Sequence, residues 1–259
     1  MAKTERSIFI TGAGAGIGRA TAELFAKRGW TVGLFDVSQE GLAVTRDRLG
    51  AGARAVSGVL DVTDHAAFER ALASFGETTG GSLDVMFNCA GILRMGRFEE
   101  IPLADHEREV AINVTGVIRG CRLALPYLAR GSAKRIVNMS SASAVYGTPD
   151  LAVYSATKFA VRGLTEALDL ELGPSGIRVT DVMPGYVGTD MVSSQTFRAK
   201  SLDTLGVRLT ADDVAKRVWD AAHGRAVHYF LQNDVALLSR IAGLVPALSR
   251  RVMKRYSGK

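Results

Sequence analysis

The chain has 259 residues, 47% hydrophobic and 22% charged, a balance that excludes disordered and fibrous classes and suits one large α/β domain. Its 32 Lys and Arg exceed 26 Asp and Glu by six, but Arg240, Arg250, Arg251, Lys254, Arg255 and Lys259 all lie in 235–259, a stretch without an acid. Residues 1–234 are therefore charge-neutral, which argues against a nucleic-acid-binding body, and no run of 18 apolar residues is present to span a membrane.

Short apolar runs alternate with stretches of helical period along most of the chain. Strands are expected at Ser7–Thr11, Thr31–Asp36, Ala53–Val59, Leu83–Asn88, Lys134–Ser140, Arg178–Pro184 and Ala226–Gln232. Runs such as Ile8-Phe9-Ile10 are continuously apolar, as in strands buried on both faces. Helices are expected at Ala20–Arg28, Gln39–Leu49, Asp64–Thr79, Asp105–Leu128, Val153–Leu172 and Ala211–Ala222, with start signals at Ser38, Thr63 and Thr210. Pro126 should kink or end the helix that contains it. Regular strand–helix–strand alternation implies parallel pairing with right-handed crossovers. The expected fold is α/β: a single doubly wound domain of about seven parallel strands with helices on both faces. Gly185–Arg208 breaks the rhythm and reads as a substrate loop or lid, or as partly disordered. The expected division is a catalytic domain over 1–234 and a basic amphipathic extension over 235–259.

The first strand runs into Thr11-Gly12-Ala13-Gly14-Ala15-Gly16-Ile17-Gly18, which opens a helix. A helix N-terminus offers unpaired N–H groups and partial positive charge to a pyrophosphate, and glycines let the backbone come close. Eighteen residues after Gly18, Asp36 ends the second strand, where a Rossmann-type site places a carboxylate on the adenosine ribose. That carboxylate would bond a 2′-hydroxyl and repel a 2′-phosphate. No Arg or Lys lies within 11–18, although Arg19 follows directly, so NAD is expected over NADP.

Tyr154 and Lys158 stand four apart at the start of a long amphipathic helix, on one face. A phenol titrates near 10, and a base working near pH 7 needs roughly 4 kcal/mol of phenolate stabilisation. An adjacent ammonium and a bound nicotinamide cation can supply it in a partly desolvated site. Thirteen residues before Tyr154, Ser141 lies at the carboxyl end of an apolar strand, where open α/β sheets bind ligands. Ser140 and Ser143 are rival hydroxyls.

With these motifs the sequence resembles the short-chain dehydrogenase/reductase family over nearly its whole length. The turn at 11–18 resembles the family's cofactor turn, Asp61-Val62 its adenine contact, and Pro184-Gly185 its post-strand turn. Asn88-Cys89-Ala90-Gly91 resembles its Asn-Asn-Ala-Gly element, with a cysteine in the second place. Asn113, Ser141, Tyr154 and Lys158 resemble its catalytic tetrad. The resemblance implies Tyr154 as acid/base on the substrate oxygen, Ser141 as its hydrogen-bonding partner, and Lys158 lowering the tyrosine pKa while holding the nicotinamide ribose. It further implies Asn113 supporting a water that leads to Lys158, and Val187 and Thr189 contacting the carboxamide. The implied reaction is hydride transfer between NAD and a secondary alcohol or ketone.

Leu93, Met95, Ala142, Val145, Tyr146, Tyr186, Met191 and Val192 are candidate lining residues, and their apolar character points to a hydrophobic or aromatic substrate. His65, His106, His223 and His228 are dispersed, and no metal site is expected. Cys89 and Cys121 have neither disulfide nor zinc spacing, and with no secretory pattern at 1–11 the expectation is a reducing cytoplasm. A homodimer or homotetramer is implied by the family. The apolar and basic residues of 235–259 recur at helical spacing, which suits packing on a subunit or on the body, with peripheral membrane contact as the rival. The sequence leaves open an NADPH-dependent carbonyl or 3-oxoacyl reductase and, more remotely, a non-catalytic nucleotide sensor or membrane-surface scaffold.

Overall fold

The computed structural model describes residues 6–242. Seven strands form one parallel sheet: β1 (Ser7–Thr11), β2 (Thr31–Asp36), β3 (Ala55–Val59), β4 (Val85–Asn88), β5 (Arg135–Met139), β6 (Arg178–Met183) and β7 (His228–Phe230). Their order is β3-β2-β1-β4-β5-β6-β7. The chain starts in the middle and winds outward twice, so the direction of winding reverses between β1 and β4, and a crevice opens at the carboxyl ends of these strands.

Alternation of side chains across the sheet builds two cores. Ile8 and Ile10 face one layer with Phe25, Leu42, Val214 and Val218, while Phe9 faces the other with Phe68, Phe75, Val117 and Val161. The first layer is made by α1 (Gly16–Lys27), α2 (Gln39–Leu49) and α9 (Ala211–His223). The second is made by α3 (His65–Thr78), α4 (Leu103–Val110), α5 (Gly116–Leu128) and α6 (Ala152–Leu172). Phe9 stacks on Phe35 at 4.2 Å and meets Phe75 edge-on at 5.7 Å, which fills the space beneath β1.

The helix starts follow side-chain chemistry. Ser38 accepts from the Gly41 N–H, and Thr210 and Asp213 form a reciprocal capping box. The cap of α3 is Asp64, whose carboxylate accepts from the Ala67 N–H, not the Thr63 start signal before it. The expected helix over 105–128 is interrupted: a π-turn at Ala111–Thr115 joins α4 to α5. Pro126 lies in the last turn of α5, which ends at Leu128. The 185–208 segment carries two short helices, α7 (Asp190–Ser193) and α8 (Lys200–Leu205), with Ala199 and Leu202 buried against Leu93 and Leu151.

Helix α10 (Asn233–Ala242) follows β7, and Val235 in its first turn is buried with Ala142, Val145 and Met183. Most of the amphipathic extension expected over 235–259 lies outside the described residues. Among those residues no helix is long and apolar enough to cross a membrane.

Edge strand β7 is tied down electrostatically. His228 Nδ1 lies 2.8 Å from Asp181 Oδ1 on β6, and its Nε2 lies 3.1 Å from Glu166 Oε1 on α6. Burial opposes the charged imidazole, but the Asp181 hydrogen bond and charge outweigh it, and the histidine pKa is raised from 6.5. Burial also raises the Asp181 carboxyl, against the pull of His228. The histidine holds its proton more tightly folded than unfolded, so its contribution is complete below the ordinary histidine value and fades as pH rises through the folded value. Wild type is expected to exceed a double variant, Asp181→Asn with His228→Gln, by about 2–4 °C in Tm near pH 6. That margin should narrow by pH 9, and a margin independent of pH in thermal melts contradicts the assignment.

Candidate active site

The glycine turn crosses directly under the β4 end. Gly12 has φ of +73°, and a Cβ there would lie 2.9 Å from the Ala90 backbone. A Cβ on Gly18 would lie 2.0 Å from the Gly12 carbonyl oxygen, so only glycine lets α1 start this close to the turn. Thr11 reinforces the crossing, its hydroxyl accepting from both the Cys89 and Ala90 N–H groups at 3.1 Å. The N-cap of α1 is Ala15, with no side-chain cap, so the first-turn N–H groups are left to face an anion.

Asp36 closes one side of this cradle. Its Oδ2 accepts from the Gly14 N–H and its Oδ1 from the Ser38 N–H, each at 2.9 Å. Arg19 points behind the turn, donating from Nε to Thr45 Oγ1 at 3.0 Å and from its guanidinium to the Gly14 carbonyl. Thr189, at the start of α7, faces the turn from across the cavity: a Cβ on Gly16 would meet its Cγ2 at 3.2 Å.

One cavity runs from this cradle past the ends of β4, β5 and β6. Gly12, Ala15, Gly16, Ile17, Gly18, Asp36, Ala90, Gly91, Ser141, Tyr154, Lys158, Pro184, Gly185, Val187 and Thr189 line it. The sequence expectations are thereby gathered into a single space, with four exceptions and one marginal case. Asp61 accepts from the Thr63 N–H and hydroxyl at 2.8 Å, outside the cavity lining. Val62 is buried and packs on Gly116. Asn88 turns its amide inward, donating to Asn138 Oδ1 at 2.9 Å, and Asn138 continues to Thr165 at 3.0 Å. Asn113, in the π-turn, lies just behind the wall. Its Oδ1 accepts from the Ile92 N–H and its Nδ2 donates to the Ile92 carbonyl, each at 2.8 Å. The marginal case is Gly14, which contributes its N–H to Asp36 without lining the cavity.

At the inner end, Lys158 is buried and Nζ donates to the Met139 carbonyl at 2.8 Å, which keeps the ammonium 5.4 Å from the Tyr154 ring centroid. Burial pushes the Lys158 pKa down to about 8, with the Cys89 and Glu109 side chains opposing the shift. Burial pushes the Tyr154 phenol up from 10, and the Ser141 hydroxyl pulls it back. Protein groups alone thus hold Tyr154 as a neutral phenol.

Ser141 caps the short turn Ala142–Ala144 by accepting from the Ser143 N–H at 3.1 Å, and its own hydroxyl reaches the Pro184 carbonyl at 3.5 Å. Ser140 is committed elsewhere, donating to the Lys158 carbonyl at 3.4 Å. Ser140, Ser141 and the other rival, Ser143, all line the cavity, and of the three it is Ser141 whose hydroxyl interacts with the Tyr154 phenol.

The outer part is apolar. Leu93, Ala142, Tyr146, Tyr186, Met191 and Val192 line it as expected, whereas Met95 and Val145 are buried without reaching it. Thr148, Leu151 and Leu205 join the lining with no sequence signal that marked them. Gln195 ties the 185–208 segment to the chain after β4, accepting from the Met95 N–H at 3.2 Å and donating to the Met191 carbonyl at 2.9 Å. Cys89 also borders the cavity, and burial pushes its thiol up to about 12, which disfavours the thiolate. Among the described residues no cluster of His, Cys, Asp or Glu is arranged to hold a metal ion.

Known proteins share this architecture. The short chain dehydrogenase family model matches residues 6–199. The oxidoreductase UcpA of Salmonella typhimurium is 36% identical over 192 residues, covering 74% of this chain and 73% of the relative. The 2,5-dichloro-2,5-cyclohexadiene-1,4-diol dehydrogenase LinX of Sphingobium indicum is 36% identical over 186 residues, covering 71% and 74%. Among solved structures, a short chain dehydrogenase/reductase from Burkholderia phymatum in complex with NAD superposes with a TM-score of 0.85 at 28% identity, covering 96% of both chains. The 3-ketoacyl-(acyl-carrier-protein) reductase of Brucella melitensis, complexed with NADH, gives 0.78 at 29% identity, covering 88% and 97%. The sequence motifs, the seven-stranded parallel sheet and these matches agree: the chain belongs to the short-chain dehydrogenase/reductase family of oxidoreductases.

Proposed function

We propose that the protein is an NAD-dependent dehydrogenase or reductase that interconverts a hydrophobic or aromatic secondary alcohol and its ketone. The observation that carries this reading is one continuous cavity in which Ser141, Tyr154 and Lys158 meet the end of the glycine cradle. The cradle fits a dinucleotide: its floor has no room for a Cβ at Gly12 or Gly18, and the first-turn N–H groups of α1 carry no side-chain cap. Ala15, Gly16 and Ile17 would complete the pyrophosphate seat, with Ala90 and Gly91 as its wall, while Gly14 holds Asp36 beside it. Pro184, Gly185, Val187 and Thr189 would flank the nicotinamide end. NAD, when bound, supplies the hydride acceptor, and its reduced form the donor.

The chain's own groups handle the proton. Tyr154 accepts the alcohol proton in oxidation and returns it in reduction, while Ser141 hydrogen-bonds and orients the substrate oxygen. Lys158 would hold the ribose hydroxyls of the bound cofactor and favour the phenolate through its charge. Asn113 supports the Ile92 backbone behind them. Asp36 supports NAD over NADP, because a carboxylate already seated on two backbone N–H groups leaves a 2′-phosphate facing negative charge. Arg19, the nearest following cation, is engaged by Thr45 and the Gly14 carbonyl.

The substrate class rests on the wall of Leu93, Leu151, Tyr186, Val192 and Leu205. Exposed Leu103, Val110 and Ile118 on α4 and α5, with Phe159 and Leu170 on α6, support assembly into a homodimer or homotetramer. A cytoplasmic location accords with two free cysteines.

A graded panel of secondary alcohols and ketones, assayed with NAD(H) and NADP(H) at the reduced-nicotinamide absorbance, tests the reading. kcat/KM should rise with substrate apolar area, by roughly four-fold per buried methylene at about 0.8 kcal/mol each. Charged acids turning over as fast as apolar ketones would contradict it.

A further inference from the structure

Between β4 and α4 the chain crosses the cavity wall as residues 91–98, and its backbone is gripped from one face of the helix that follows. Asn113 takes both the N–H and the carbonyl of Ile92 at 2.8 Å. One turn earlier, Glu109 Oε1 accepts from the Arg94 N–H at 3.1 Å. Earlier still, His106 Nε2 lies 3.2 Å from the Phe98 carbonyl, with its ring stacked on Phe98 at 5.0 Å. Positions 106, 109 and 113 recur on one helical face. Ile92 and Arg94 therefore present one backbone edge to that face, and Leu93 between them lines the cavity and packs with Tyr154 and Leu151.

Glu109 has no part in the chemistry above, and its burial is costly. It is 1% exposed, and its Oε2 is buried with no hydrogen-bond partner among the described residues. Burial pushes its carboxyl up to about 7, against the Arg94 N–H and the charges of His106, Lys158 and Arg94, which favour the anion. Tyr154 also faces it, and the Glu109 charge raises that phenol. An apolar side chain would fill the position without this penalty, unless an acceptor for the Arg94 N–H is required.

We infer that Glu109 is a positioning residue for substrate recognition: by fixing the Arg94 N–H it sets Leu93 in the wall of the cavity beside Tyr154. The role assigned to Leu93 rests on the proposed alcohol or ketone site, but the grip on residues 91–97 does not. A carboxyl that carries its proton over part of the physiological range accepts the N–H much as an amide does, so glutamine should substitute and leucine should not.

The test compares wild type, Glu109→Gln, Glu109→Leu and Leu93→Ala by backbone hydrogen exchange and by steady-state kinetics with NADH and the best ketone of the panel. Glu109→Leu is expected to speed exchange in 91–97 and raise the ketone KM by about ten-fold each, the scale of one buried hydrogen bond. Its kcat and NADH affinity should stay within about two-fold, since the lost contact acts on substrate placement and not on the reacting proton. Glu109→Gln should restore both wild-type values, and Leu93→Ala should raise KM with exchange in 91–97 unchanged. Wild-type exchange and KM in Glu109→Leu, or leucine-like behaviour in Glu109→Gln, overturns the inference. Should the leucine variant not fold, a Leu93→Ala variant with wild-type KM overturns it equally. A wild type inactive on every ketone removes the proposed reaction, while the exchange comparison still decides the grip.

Discussion

Tyr154→Phe is expected to cut turnover by about two to four orders of magnitude while leaving NADH affinity within about two-fold, the range a positioned acid/base contributes. The ring stays in place in this variant, packed with Leu93, Leu151 and Tyr186, so what is lost is the hydroxyl alone. Burial holds the Tyr154 phenol above its ordinary value of 10. Working as a base near pH 7 requires at least about 4 kcal/mol of preferential phenolate stabilisation, at about 1.4 per unit. Lys158, held by the Met139 carbonyl with Nζ 5.4 Å from the ring, is the cation proposed for that task. Steady-state kinetics beside a fluorescence titration of NADH separate the two effects. Residual activity above a few per cent of wild type contradicts Tyr154 as the acid/base.

The second large effect is on cofactor choice. Two unit charges about 4 Å apart at an effective dielectric of about 20 repel by about 4 kcal/mol, close to a thousand-fold in relative affinity. Asp36 is half-buried at the end of β2, and Val37 beside it is exposed, so the pair Asp36→Ala with Val37→Arg exchanges repulsion for attraction at one place. The ratio of kcat/KM for NADP to that for NAD should rise by at least about a hundred-fold, after allowance for solvent screening. Absolute NAD affinity should fall as well, because the Gly14 and Ser38 N–H groups lose their acceptor. A ratio that stays at the wild-type value would remove Asp36 as the selector.

Much of this architecture was legible because its causes are local. The strand runs are apolar on both faces, and the turn at 11–18 is glycine-rich where α1 and Ala90 leave no space. The separation of Ser141, Tyr154 and Lys158 follows from one strand end and one helix face. What was not legible depends on partners distant in sequence. The helix expected from Ala20 starts at Gly16, inside the glycine turn whose Gly12 lies against the Ala90 backbone. Nothing in Ala111–Thr115 announces a π-turn, the turn from which Asn113 reaches across to Ile92. The 185–208 segment has no period because its helices are only four and six residues long, held by the Val187–Leu209 bridge and by burial of Ala199 and Leu202.

The same distinction applies to individual site residues. Asn88 sits in a motif that suggested a cofactor contact, but its amide faces a buried chain through Asn138 to Thr165. Gly120 permits this, since a Cβ there would lie 1.9 Å from Asn88 Oδ1. Glu109 carried no signal at all: on paper it is one more acid on a polar helix, and only the fold buries it against Arg94.

Direct transfer of the label from NADH deuterated at the nicotinamide C4 to the carbon of an apolar ketone tests the central claim most closely. The account predicts a product alcohol carrying one deuterium, formed with NADH much faster than with NADPH and lost in Tyr154→Phe. No label in any product across the ketone panel, with NADH shown to be bound, would contradict it.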